Sequence, residues 1–232
     1  MAFATQPDEA TTILRVDGLR VQFGAVNAVV DTSFSLRRGE FLGLVGESGA
    51  GKSATAKAIV GLLPPNAKVS GRIEFEGQNL VEAPRPHMRK IRGRRIGYIF
   101  QDALTALDPV YTVGYQLVEA YRAANPKASA AEAKKRALKL LEEVQIRDPQ
   151  SRLQAYPHQL SGGMRQRVAI AIALIGDPDI IIADEPTSAL DVTVQRRVLE
   201  ILRNVCQQRN AAVVLITHDL GVVAQTCDRV VV

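Results

Sequence analysis

Two hundred and thirty-two residues, 47% hydrophobic and 23% charged with a formal net charge of +5, are enough for one globular domain with a real core and room for a subdomain. The longest apolar runs, Val168–Ile175 and Ala211–Ile216, fall far short of the roughly 18 residues that cross a bilayer, so any membrane role goes through a partner. Only Cys206 and Cys227 are present, at a spacing that fits no zinc or redox motif, which argues for buried, reduced thiols rather than a disulfide framework.

The opening residues 1–12 are acidic and polar, with neither a basic nor an apolar segment, so no secretory signal is read there and a cytoplasmic location is expected. From Ile13 to Leu36 apolar residues recur in β-like alternation broken by Gly18, Gly24 and Gly39, which predicts antiparallel strands and turns. Phe41–Val45 reads as a short strand, and Ala54–Leu63 as a helix stopped by Pro64-Pro65. Further strands are predicted at Val69–Phe75, Ile96–Phe100, Ile180–Ala183 and Val213–Thr217, and with the helical stretches between them they indicate an α/β sheet covered by helices. The segment Arg85–Arg95 is strongly basic but lacks the interleaved aromatics of a nucleic-acid stacking surface. It is read as a solvated face, with nucleic acid or lipid headgroups as the alternative. Between Tyr115 and Leu153 the composition shifts to Ala, Lys, Glu and Leu, strong helix formers, which predicts a helical subdomain inserted into the α/β core. Within it, Ser129 and Glu132 fit a capping box, and Ala133, Ala137, Leu140, Leu141 and Val144 recur at helical spacing.

Three strand ends carry chemistry. Gly46-Glu47-Ser48-Gly49-Ala50-Gly51-Lys52-Ser53 fits G-x-x-x-x-G-K-[ST] and lies between a predicted strand and a predicted helix, where a phosphate-binding loop belongs. There the backbone from Gly46 through Ser48, Gly49 and Gly51 can turn its N–H groups toward phosphate oxygens, and the helix N-terminus adds partial positive charge. Lys52 is expected to reach the β- and γ-phosphates of ATP, and the Ser53 hydroxyl to ligate Mg²⁺. The run Ile180–Ala183 closes on Asp184, placed to hold the Mg²⁺ shell, and Glu185, placed to orient and deprotonate a water. Alone, two acids at a strand end would more often begin a solvated loop; a phosphate loop in the same chain reverses that weighting. Val213–Thr217 repeats the pattern and ends on His218, a candidate hydrogen-bond partner for the γ-phosphate.

Leu160-Ser161-Gly162-Gly163-Met164-Arg165-Gln166-Arg167 resembles the signature sequence of ATP-binding cassette (ABC) proteins. The physics agrees with the resemblance, because Ser161 is a good N-cap and the helix that follows presents its positive end as a second anion site. The resemblance implies a P-loop NTPase fold of the α/β class, with an antiparallel β subdomain and a helical subdomain over about 115–175, in one cassette domain spanning 1–232. It also implies that two cassettes pack head to tail, with Ser161 and Gly163 of each closing on the γ-phosphate held by the other. Gln101 resembles the glutamine loop and would touch Mg²⁺. Ser188-Ala189-Leu190-Asp191 resembles the loop joining two protomers, with Asp191 coupling the sites. Phe23 stands where these cassettes carry an aromatic that stacks on adenine, a core phenylalanine being the alternative.

Within the family, Gln101-Asp102, Leu104–Pro109, Thr112-Val113-Gly114, Tyr156–Gln159 and His218–Ala224 are similar to the dipeptide and oligopeptide, or nickel, permease ATPases, although Ala103 stands where a proline is expected. This implies an ATP-hydrolysing motor of a membrane importer for dipeptides or oligopeptides, peripheral at the cytoplasmic face. Its partners would be transmembrane permease subunits, a second ABC ATPase subunit and, indirectly, an extracytoplasmic substrate-binding protein, with no nucleic acid. The alternatives are an importer of another substrate such as nickel, or a soluble ABC ATPase acting on nucleic acid or ribosomes. Against the latter, Gln101 and Ser161 stand too close for the long coiled coil of DNA-repair members, and the chain carries one set of motifs where ribosome-acting members carry two. The sequence closes on the apolar run Val230–Val232, from which a further C-terminal portion is expected.

Overall fold

The computed structural model describes residues 11–232; most of the opening stretch read above for secretory signals lies outside the described residues. The described strands are β1 (Thr12–Phe23), β2 (Val26–Arg37), β3 (Phe41–Leu44), β4 (Ala67–Phe75), β5 (Gln78–Asn79), β6 (Ile96–Ile99), β7 (Ile180–Asp184), β8 (Ala212–Ile216) and β9 (Arg229–Val231). They form an antiparallel sheet of order β2-β1-β4-β5 and a parallel sheet of order β6-β7-β8-β3-β9. The described helices are α1 (Lys52–Ile59), α2 (Arg85–Ile91), α3 (Ala103–Ala106), α4 (Val113–Ala124), α5 (Ala130–Glu143), α6 (Pro149–Arg152), α7 (Gly162–Leu174), α8 (Val192–Gln208) and α9 (Leu220–Thr226).

Two expectations about the sheets are corrected. Gly18 does not break a strand: it lies inside β1 at φ +54°, where the register with β2 shifts between Val16 and Leu19. A glycine in the left-handed region absorbs the extra residue of a bulge and the strand continues. The strand foreseen at Val69–Phe75 joins the antiparallel sheet, pairing Val16 with Ile73, and not the α/β sheet. Its half-exposed pattern is that of an antiparallel strand with a solvated face, whereas β3, β7 and β8 are buried throughout, as parallel strands covered on both sides are.

The parallel sheet divides the core by the two-residue alternation of its strands. Phe41, Ile181, Ala183, Val213 and Leu215 face a cluster completed by α4, α5, α7 and α8. Leu42, Ile96, Ile180, Ile182, Val214 and Ile216 face the other cluster, with α1 and the antiparallel sheet. Fully burying each aliphatic side chain contributes about 1.5–3 kcal/mol, so these two layers hold the sheet's C-terminal edge in place.

Helix α1 begins at Lys52, at the phosphate-loop lysine, and ends at Ile59, earlier at its C-terminal end than expected. Its stop is Gly61 and not the prolines. With φ +60°, Gly61 donates to the Ala58 carbonyl at 3.0 Å and Leu62 to the Lys57 carbonyl at 2.8 Å, the paired bonds of a Schellman motif. The capping box on α5 is present, with Ser129 N–H on Glu132 at 2.8 Å and Glu132 N–H on Ser129 Oγ at 3.2 Å. Ala133, Ala137, Leu140, Leu141 and Val144 are all fully buried, as their spacing foretold.

Candidate active site

The glycine-rich loop of residues 46–51, the candidate phosphate loop, joins β3 to α1. Gly51 caps the helix at φ +87°, and a Cβ there would stand 2.1 Å from the Ala28 carbonyl oxygen, so only glycine lets β2 pass this close to the loop. Ala28 lies just beyond the Phe23–Val26 pairing at the tip of the β1–β2 hairpin. The Phe23 ring is part-buried against the core. Lys52, only 8% exposed, folds over the loop and donates to the Gly46 and Glu47 carbonyls, each at 2.8 Å. Glu47, Ser48, Gly49 and Ala50 are exposed.

Asp184 ends β7 on the same face as Ile180 and Ile182, the face toward α1. It is 4% exposed, and both its oxygens are engaged. Oδ1 accepts from the Ser53 hydroxyl at 2.8 Å and Oδ2 from the Tyr98 hydroxyl at 2.8 Å. Burial, and then the Asp184 carboxylate, push the Tyr98 hydroxyl well above its ordinary value, so it stays protonated as a donor. Tyr98 escaped sequence reasoning. The available signal was a lone polar tip on the buried strand β6.

Glu185 stands one residue on and faces a different set of partners. Gln101 Nε2 donates to its Oε2 at 2.9 Å, and His218 Nδ1 lies 3.2 Å from its Oε1. Its backbone takes φ +45°, a left-handed conformation that side chains rarely adopt and that clusters at functional sites, while its N–H is held by the Ile216 carbonyl at 3.0 Å. His218 follows β8, where Thr217 Oγ1 accepts from Asp219 N–H at 3.0 Å and Asp219 caps α9. Four strand ends therefore converge: Lys52 and Ser53 at the start of α1 after β3, Gln101 after β6, Asp184 at the end of β7 with Glu185 next to it, and His218 after β8.

Ser161, Gly163 and Asp191 lie elsewhere, around a groove of about 510 Å³ that includes none of those residues. Ser161 caps α7 by accepting from Met164 N–H at 3.3 Å, and Asp191 caps α8 by accepting from Val194 N–H at 3.0 Å. Arg167 borders the same groove and donates to the Gly163 carbonyl at 3.2 Å. The basic segment is not simply a solvated face. Arg92 caps α1 through the Val60 and Gly61 carbonyls at 2.6 and 2.7 Å, Arg95 binds Asp179 and Glu76, and Met88 and Ile91 are buried.

Among the described residues no helix is long and apolar enough to cross a membrane. Residues 29–188 match the ABC transporter family. The chain is 53% identical over 226 residues to the dipeptide transport ATP-binding protein DppD of Bacillus subtilis, covering 95% of this chain and 67% of that protein. It is 46% identical over 234 residues to the oligopeptide transport ATP-binding protein OppD of Salmonella typhimurium, covering 99% and 70%. The fold matches the dimeric ATP-binding cassette MJ0796, in a post-hydrolysis state bound to ADP and Pi, with a TM-score of 0.82 at 29% identity over 94% of this chain and 93% of that one.

Proposed function

The chain belongs to the ABC transporter family, and from that membership we propose that it is the ATP-hydrolysing subunit of an importer of dipeptides or oligopeptides. Peptide transport is named for relatives at 46% and 53% identity, which supports the substrate class. In this reading it works at the cytoplasmic face of a membrane, bound to permease subunits and a second cassette, with a substrate-binding protein acting on the far side.

One observation carries the assignment of roles: two adjacent carboxylates have separate partners, Asp184 with Ser53 and Glu185 with Gln101 and His218. ATP occupies the loop from Gly46 through Ser48, Gly49 and Gly51, with its adenine against Phe23, and Lys52 leaves the Gly46 and Glu47 carbonyls for the β- and γ-phosphates. The oxygens of Ser53 and Asp184 meet at 2.8 Å, and among the described residues no group of three or more His, Cys, Asp or Glu gathers to hold a metal. That donor set fits Mg²⁺, a hard cation bound by one or two protein oxygens together with phosphates and water. Ser53 and Asp184, with the Gln101 amide oxygen, would hold it, and when bound it neutralises charge on the β- and γ-phosphates.

Glu185 takes the proton of a water as that water's oxygen bonds to the γ-phosphorus and the bond to the ADP oxygen breaks. His218 steadies the Glu185 carboxylate and reaches toward the γ-phosphate. Ser161, Gly163 and Asp191 serve the nucleotide of the second cassette, since their groove is separate from the chain's own loop. The helices between about 115 and 175 carry the coupling to the membrane partner.

Affinity capture of the full-length protein from gently solubilised native membranes, followed by mass spectrometry, tests the reading. Polytopic membrane proteins and a second cassette subunit are expected to travel with it. Recovery of ribosomes or DNA-bound complexes in their place would overturn the importer assignment and leave the ATPase chemistry standing.

A further inference from the structure

We infer that Tyr98 is a positioning residue for Asp184, fixing one oxygen of that carboxylate so that the other is presented toward Ser53 and the nucleotide's cation. The inference rests on the proposed role of Asp184 and adds a residue that the phosphate loop and strand motifs do not contain.

The register between β6 and β7 sets the geometry. Tyr98 pairs with Ile182, so Asp184 lies two residues ahead on the neighbouring strand and, by the alternation of the pleat, on the same face. Two residues of strand advance roughly 6.6 Å, a span that a tyrosine side chain covers with its hydroxyl at the far end. The hydroxyl sits 2.8 Å from Asp184 Oδ2, while the Ser53 hydroxyl donates to Oδ1 at 2.8 Å. The Tyr98 ring is itself held, part-buried against the core cluster and tilted on Phe100 with centroids 4.7 Å apart. Phenylalanine would fill the same space and leave Oδ2 without this donor, in a carboxylate nearly closed off from water. A carboxylate freed at one oxygen can rotate about its χ2 torsion, and loss of an outer hydrogen bond of this kind typically lowers metal affinity about 10–100-fold.

The experiment uses the full-length protein with Tyr98→Phe and follows binding of a fluorescent ATP analogue as Mg²⁺ is titrated, and again in EDTA. The Mg²⁺ concentration at half-saturation should rise about 10-fold or more, while analogue affinity in EDTA stays at the wild-type value. An unchanged Mg²⁺ midpoint would overturn the inference, as would an equal loss of analogue affinity with and without Mg²⁺, which marks a packing role. Asp184→Asn, measured alongside, separates the two levels. If it raises the Mg²⁺ midpoint and Tyr98→Phe does not, Tyr98 is overturned and the role of Asp184 stands. If neither variant moves it, the role of Asp184 falls and the inference with it.

Discussion

Glu185 combines a left-handed backbone, φ +45°, with two side-chain partners that leave its carboxylate little freedom. Such a conformation costs about 1–3 kcal/mol, and here it turns the acid away from Asp184 and toward Gln101 and His218. Replacing Glu185 with Gln keeps the shape and removes the proposed base. ATP hydrolysis should fall about 10²- to 10⁴-fold while equilibrium binding of ATP is retained, a contrast that steady-state phosphate release and filter binding would read directly. The thiols offer a second check at this scale. Burial pushes Cys206 up to about 12 and Cys227 to about 11, so neither is a thiolate near neutral pH. Labelling with a thiol reagent at pH 8 should be slow for both in the folded protein and fast in denaturant. The acids, Lys52 and Ser53 were legible as residues because each closes an apolar run or a glycine loop. Tyr98 was not, because a tyrosine on a buried strand looks like core until its neighbour across the sheet is known.

At the scale of elements, α1 is bounded by two glycines that do different things. Gly51 opens it where the Ala28 carbonyl leaves no room for a side chain, and Gly61 closes it with Schellman bonds. At Gly61 an added Cβ would meet Arg92 Nη2 at 3.1 Å, the far end of a flexible side chain, so the cost is mainly that of the left-handed backbone. Gly61→Ala should lower stability by about 1 kcal/mol in urea titration and leave ATP binding intact. Gly51→Ala meets backbone that cannot yield without moving β2, and it should abolish ATP binding in the same assay that scores Glu185→Gln. The sequence pointed to a helix here and missed its end, because proline is a conspicuous stop. A glycine acts only through a backbone angle that its letter permits and does not require.

For the whole molecule, the contact between the two sheets is partly ionic. Arg38 and Glu76, at the ends of β2 and β4, meet Arg95 and Asp179, which precede β6 and β7. The Arg95 hydrogen bond, opposed by burial and joined by Arg38, holds Glu76 below its ordinary value. A carboxylate lowered in the folded state contributes stability that is full above its unfolded value near 4.5 and is lost as pH falls through the folded value. Glu76→Gln should therefore flatten the acid side of the stability profile below about pH 4.5, with a small effect at pH 7 because the group is partly exposed and screened. Urea midpoints at the two pH values would measure the difference. By itself the sequence determined the glycine-rich loop between a strand and a helix, the acids at a strand end, the capped helices and the family, since each depends on residues close together in the chain and on local geometry. Only the tertiary structure decided that β4 joins β1, that Arg92 and Arg95 serve the fold, and that Tyr98 meets Asp184. Those pairings depend on which strand lies beside which, and an alternating strand carries the same pattern whichever neighbour it finds.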